Sequence, residues 1–177
     1  MRKLLFIAPV LLCAGCMDTS GGSSSGTLTQ EIRGLKMYEF RSGRTEWMVT
    51  AKRALLDDAT ESAELLSPEV EIRKNGKLSA HIKSDKGSMD IAKKIVTLLE
   101  NVNGVSEKEK VSLKTSRLDF DIPGDRIWTD SPITLVQSGV KIRGQGFSAR
   151  SDLAEIEIKK QETSLPEGIN PADIAKK

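Results

Sequence analysis

Histidine and cysteine are almost missing from this sequence: 177 residues hold one histidine, His81, and two cysteines, Cys13 and Cys16. Protein metal centres draw on several such side chains at once. His81 has no second histidine beside it and falls on the polar side of an alternating segment, so it reads as a solvated strand residue. Both cysteines lie in the first 16 residues. The rest of the chain therefore has no internal disulfide and relies on its own packing. A surplus of basic charge is also missing. The formal net charge is +2, but residues 1–15 hold Arg2, Lys3 and no acid, which leaves 25 basic against 25 acidic residues downstream. A nucleic-acid partner would need a basic excess or stripe, and there is none. No apolar run reaches the roughly 20 residues that a membrane-spanning helix requires.

What stands at the start is a targeting pattern. Arg2 and Lys3 precede an apolar run from Leu4 to Leu12, and the small residues Ala14 and Gly15 follow, the order of a secretory signal. Ala14, Gly15 and Cys16 together resemble the lipobox of bacterial lipoproteins, with Cys13 where a leucine is usual. The expectation is a lipoprotein signal over residues 1–15 with lipidation at Cys16; ordinary signal cleavage nearby is the alternative. Residues 16–27 then form the anchor and a Gly/Ser linker, whose ends average on the order of 20 Å apart in a flexible coil. One folded domain is expected over 28–165, and 166–177, which have little to bury, read as a mobile tail.

Inside the domain the apolar residues alternate. Val70 and Ile72, then Leu78, Ala80 and Ile82, flank Asn75 and Gly76, a hairpin signal. A two-residue loop would put the two apolar sets on opposite faces. A loop of Lys74, Asn75 and Gly76 pairs Ile72 with Leu78 and Val70 with Ala80, so the sequence predicts a type I turn closed by a Gly76 bulge. Similar alternation marks Trp47/Val49/Ala51, Val111/Leu113, Leu118/Phe120/Ile122, Ile133/Leu135 facing Val140/Ile142, and Ile156/Ile158. One-sided strands of this kind suit an antiparallel sheet folded over a single interior.

Two stretches, 55–66 and 91–102, carry good helix formers. Internal comparison decides against helices. "AKRALLDDATESAELLSPEVEI", "SDKGSMDIAKKIVTLLENVNGV" and "TSRLDFDIPGDRIWTDSPITLV" align as weak repeats, with Pro68, Asn101 and Pro132 each 14 residues after Ala54, Gly87 and Leu118. In the third copy Pro123 and Gly124 break any helix, so each copy reads as strand, turn, strand. "GFSARSDLAEIEIKK" is a truncated fourth.

Chemistry-bearing constellations are sparse. Asp57/Asp58 sits at an expected turn, while Asp119 and Asp121 flank Phe120 and point away from the apolar side. Solvated carboxylates of this kind lack the tuned pKa that acid–base catalysis needs. "GQG" at 144–146 is followed by no GK[ST] and opens no helix, so it reads as a strand bulge. The informative feature is the apolar face, which either fills a closed core or shelters acyl chains at about 0.8 kcal/mol per buried CH₂.

"GLKMYEFRSGRTEWMVTAKRALL", "SPEVEI", "LENVNGV", "TSRLDFDIPGDRIWTDSPITL" and "SGVKIRGQGFSAR" together resemble the LptC family, membrane-anchored periplasmic components of lipopolysaccharide export. The resemblance covers about 34–165 and is carried mainly by Gly34, Met37, Tyr38, Trp47, Gly139, Gly144, Gly146 and Phe147. It implies an all-β, V-shaped antiparallel β-jelly-roll with no enzymatic activity and no cofactor. Such a domain receives lipopolysaccharide from an inner-membrane ABC transporter and hands it to a periplasmic bridge protein. The residues that would line its lipid path are Trp47, Ile72, Ile82, Leu98, Leu113, Phe120, Ile133, Leu135, Ile142 and Phe147. Relatives stack edge to edge by strand addition. The expected edges are the strand around Met37, Tyr38 and Phe40 toward the transporter, and Leu153 to Lys160, with Leu153, Ile156 and Ile158, toward the acceptor. Many relatives are anchored by a transmembrane helix, whereas Cys16 implies a lipid anchor, on the inner membrane if the domain is to meet the transporter. A scaffold that joins partners through its edges and carries nothing inside is the alternative.

Overall fold

Runs that alternate apolar and polar residues form strands here, and the turn residues between them form the connections. The computed structural model describes residues 29–41 and 43–164. The expected signal, Cys16, the linker and the tail lie outside these. The described chain contains β1 (Thr29–Arg41), β2 (Arg44–Asp57), β3 (Ser62–Leu66), β4 (Glu69–Lys74), β5 (Lys77–Lys83), β6 (Lys86–Asp90), β7 (Ile95–Ser106), β8 (Val111–Asp121), β9 (Arg126–Gln137), β10 (Val140–Arg150), β11 (Glu157–Ile158) and β12 (Glu162–Ser164). All pairings are antiparallel. Neither 55–66 nor 91–102 is helical: the first is strand, turn, strand, and the second is the turn after β6 followed by the start of β7, so each repeat is strand, turn, strand as expected.

The sheet is an up-and-down meander whose long strands are interrupted midway. β3 and β4 lie end to end along β2, and β5 and β6 end to end along β7. The interruptions fall on one line across the sheet. Ser67 and Pro68 separate β3 from β4, Glu100 and Asn101 bulge out of β7, and Gly146 bulges out of β10 beside Pro132. Ser67, Glu100, Asn101 and Gly146 all have φ between 49° and 85°, which bends a strand sharply. Backbone bonds stitch this crease: Ser67 N–H to Asp85 O at 2.7 Å, and Asp85 N–H to Glu100 O at 3.0 Å. The repeat positions Pro68, Asn101 and Pro132 thus mark the fold line. The repeats share a second device. Asp57, Asp90 and Asp121, at equivalent places, each accept a backbone N–H from the turn that follows, from Ala59 two residues on and from Lys93 and Gly124 three residues on, at 2.8–3.0 Å, so a carboxylate closes each turn.

Folding at the crease turns the sheet into two facing leaves. Trp47 on β2 and Phe120 on β8 are four strands apart, about 19 Å along a flat sheet at 4.7–4.9 Å per strand. Yet they line one cavity and belong to one core. The near leaf holds 35–41, 44–50, β4, β5 and the 102–115 and 133–144 stretches. The far leaf holds 53–66, β6 and the 95–99, 117–129 and 147–150 stretches. Val49, Val70, Ile82, Leu113 and Leu135 from the near leaf meet Leu98, Leu118 and Ile127 from the far leaf, all fully buried.

The β4–β5 hairpin departs from expectation. Lys74 pairs with Lys77 across a two-residue loop, and positive φ at both Asn75 and Gly76 makes it type I′, whose twist matches the strands. The clash between apolar faces is resolved on the return strand. Arg73 pairs with Leu78 but Ile72 with Ala80, so Ser79 is an extra, bulged residue. Ala80 and Ile82 turn inward with Val70 and Ile72, while Leu78 lies outside, 54% exposed.

The GQG stretch is the expected bulge, and it has a further use. The 157–164 segment crosses there: Gln145 N–H donates to Lys159 O at 3.1 Å, and Lys159 N–H to Gly146 O at 2.9 Å. A Cβ on Gly144 would collide with Ile158 Cγ2 and lie 3.0 Å from Lys159 O. Gly144→Val is therefore expected to detach 157–164 from β10 while the meander stays folded. Hydrogen exchange at the Lys159 amide should accelerate at least about tenfold, the signature of local opening; unchanged protection would contradict the close crossing.

Candidate functional site

The ten residues expected along a lipid path come together in one interior. Trp47, Ile72, Ile82, Leu98, Leu113, Phe120, Ile133, Leu135 and Phe147 are buried, and Ile142 is partly buried against them. They divide into two groups. Ile82, Leu98, Leu113, Ile133, Leu135, Ile142 and Phe147 fill the space between the leaves and line none of the cavities found there. Trp47, Ile72 and Phe120 reach a cavity of about 580 Å³ on the open side of the V, where the leaves end.

This cavity has an apolar floor and a charged rim. Trp47 and Ile72 from the near leaf face Phe120 and Ile122 from the far leaf, and Glu39, Arg44, Arg73, Lys74, Lys94 and Asp125 stand around them. A neighbouring cavity of about 440 Å³ is lined by Met37, Trp47, Met89 and Ile91. Glu39, Trp47 and Lys94 belong to both, so they form the partition.

Two ion pairs cross the opening from leaf to leaf. Lys74 Nζ, at the tip of β4, donates to both oxygens of Asp125 in the β8–β9 turn, at 2.9 and 3.2 Å. Asp125 also accepts from Ser151 Oγ. Lys94 Nζ, in the β6–β7 turn, lies 3.8 Å from Glu39 Oε2 on β1, and Glu39 accepts from Trp47 Nε1 at 3.0 Å. All four charged side chains are a third to a half exposed. Such pairs contribute about 0–1 kcal/mol each, so the opening is held shut only lightly. Beyond Lys74, burial pushes the Asp152 carboxyl up, but bonds from Arg150 and the Ala154 N–H, with the nearby Lys74 charge, outweigh it and hold the group below its ordinary value.

Several expected positions are corrected. Asp119 points away from the core but is not solvated: it is buried, accepting from Thr97 Oγ1 at 2.6 Å and from Arg117 at 2.7 and 2.9 Å. The bond to Asp119 also raises the Arg117 pKa. The strand expected over 153–160 is shorter, because Leu153, at φ 63°, sits in a tight turn and is wholly buried. Leu153 thus belongs to the core. β11 keeps only Glu157 and Ile158 on the outer side of β10, and β12 continues that edge. At the other end β1 is long, and among the described residues only β2 pairs with it. Met37 leans inward, while Tyr38 and Phe40 are exposed and stack edge to face at 5.1 Å. His81 is bonded to Glu69 at 3.0 Å. Ile122, Lys74, Lys94, Glu39 and Asp125 are not among the residues that the sequence places along the lipid path. Ile122 continued the Leu118/Phe120 alternation and could have been; the ion pairs join residues 51 and 55 positions apart and leave no local signal.

Among the described residues, no group of three or more His, Cys, Asp or Glu side chains gathers to hold a metal ion. The cavity instead offers apolar shelter beneath a charged rim.

A family profile described as lipopolysaccharide-assembly, LptC-related matches residues 25–165. Among solved structures, the chain is similar to LptH of Pseudomonas aeruginosa, the LptA homologous periplasmic component of the conserved lipopolysaccharide transport device. The TM-score is 0.52 at 13% identity, over 68% of this chain and 94% of that one. No curated protein sequence matches.

Proposed function

The chain belongs to the LptC-related lipopolysaccharide-assembly family, and from that premise we propose that it accepts lipopolysaccharide from an inner-membrane ABC transporter, shelters the acyl chains between its leaves, and passes them to a periplasmic bridge protein. The observation that carries this reading is the cavity whose floor is Trp47, Ile72, Phe120 and Ile122. Apolar chains gain about 0.8 kcal/mol per CH₂ on leaving water for such a surface. No reaction is required of the chain, and the transporter supplies the energy. The likeness to a periplasmic transport component supports placement in the periplasm, and Cys16 provides the membrane anchor. Reconstitution of the full chain with the transporter and the bridge protein tests this: lipopolysaccharide should reach the bridge protein only when this chain and ATP are both present.

Seven of the ten interior residues line neither of these two cavities, which favours a second reading: a scaffold that joins partners through its edges. The two readings share the edges and differ over the cavity. In both, β1 offers the transporter an unpaired strand edge flanked by Tyr38 and Phe40. Replacing both by Asp is expected to cut co-purification of the full chain with the transporter by about tenfold, the loss of about 1.4 kcal/mol. Thermal stability should stay unchanged, since exposed substitutions have small effects. Undiminished co-purification would place that interface elsewhere.

A further inference from the structure

We propose that the two lysine pairs are clasps of a side portal, opened by the phosphorylated headgroup of an acylated lipid, which takes Lys74 and Lys94 from Asp125 and Glu39 as a chain enters between them. This rests on the lipid-carrying reading above and adds where, and by which groups, the lipid enters.

Three observations support it. First, among the described residues two side-chain ties cross this opening and flank the cavity: Lys74 with Asp125 on one side, Lys94 with Glu39 on the other. Second, the floor between them is apolar and comes from both leaves, so a chain entering there passes directly beneath the ammonium groups. Third, the rim holds four cations, Arg44, Arg73, Lys74 and Lys94, against three acids, Glu39, Glu46 and Asp125, and Arg73 is bonded to Glu71 at 2.7 Å, so Lys74 and Lys94 sit beside further positive charge.

The chemistry favours an exchange of partners. A phosphate monoester carries up to two negative charges and three strong acceptor oxygens, so it outcompetes a single carboxylate for an ammonium. A half-exposed ion pair resists such an exchange only weakly. Glu39 and Asp125 keep partners when the lysines leave, since Trp47 Nε1 and Ser151 Oγ bond them from their own leaves. Headgroup capture and portal opening are then one event, and the acidic partners are returned when the lipid moves on.

The two halves of each clasp should respond oppositely, which a bracing role alone would not produce. Full-length chain carrying Glu39→Gln with Asp125→Asn keeps both lysines and loses the competitors. Its affinity for lipopolysaccharide should rise about threefold or more, from removal of pairs worth up to about 1 kcal/mol each. Lys74→Met with Lys94→Met should lower it about tenfold or more. Dephosphorylated lipopolysaccharide should bind both variants alike. Equal effects of the two double variants on the phosphorylated lipid would overturn the portal and leave lipid carriage standing; wild-type protein that binds neither lipid would overturn the carriage reading itself. Thermal unfolding of each variant excludes misfolding as the cause, and Lys74→Arg with Lys94→Arg, which keeps the charge, should retain phosphorylated-lipid binding.

Discussion

Phe120→Asp is expected to leave little folded protein at neutral pH. Phe120 sits opposite Val96 on β7 and Ile127 on β9, and is 2% exposed. Truncating such a side chain costs about 3–5 kcal/mol in transfer and cavity terms. Burying an unpaired carboxylate adds several kcal/mol more. Together these approach the roughly 5–15 kcal/mol that holds a whole domain. Loss of the cooperative thermal transition is the expected result, and a transition near that of the unaltered protein would contradict the packing described above. A charge at Ile133 or Phe147, both equally buried, should act in the same way. Lost transport in such variants would therefore report misfolding and not a lipid path.

Ile122→Trp separates the two. Ile122 lies at the mouth, 9% exposed, with its backbone N–H bonded to Lys94 O at 3.2 Å, and an indole there has the cavity to fill. Overpacking beside open space should cost no more than about 1–3 kcal/mol. Excluding even two methylenes, at about 0.8 kcal/mol each, should weaken lipid binding about tenfold. The expected phenotype is a folded protein with lipopolysaccharide delivery to the bridge protein lowered about tenfold or more in the reconstituted transfer assay. Asp57→Asn, in a remote turn, should leave delivery unchanged. Normal delivery by a folded Ile122→Trp protein would take the cavity out of the path.

Much of this architecture was legible because it is written locally. Two-residue alternation gave the strands, and the repeats gave the strand, turn, strand units; that Pro68, Asn101 and Pro132 fall on the crease is visible only in the structure. Even the helix-like composition of 91–102 gave way to the repeat pattern, because a packed face outweighs intrinsic propensity. What was misread involved choices between nearly equal local solutions. The Asn75-Gly76 hairpin could shift its faces in the loop or one step later, and the Ser79 bulge took the second course. Leu153 looked like the start of an edge strand, since nothing nearby announces that Asp152 and Arg150 tie the chain into a turn. The rim was hidden for a different reason. Lys74 and Asp125 are neighbours only after the sheet has folded upon itself, and the apolar pattern that drives the folding says nothing about which charges meet at its open side.

The central claim, that lipid occupies the space between the leaves, is tested most directly by photocrosslinking in cells that make lipopolysaccharide. A photoreactive phenylalanine analogue at Phe120 keeps an aromatic side chain on the cavity floor, and the same analogue at Lys114, on the exposed face of β8, serves as the surface control. Crosslinks to lipopolysaccharide from position 120 and none from position 114 are the predicted result. A folded, correctly placed protein that crosslinks from neither position would contradict lipid carriage and leave the domain as a scaffold.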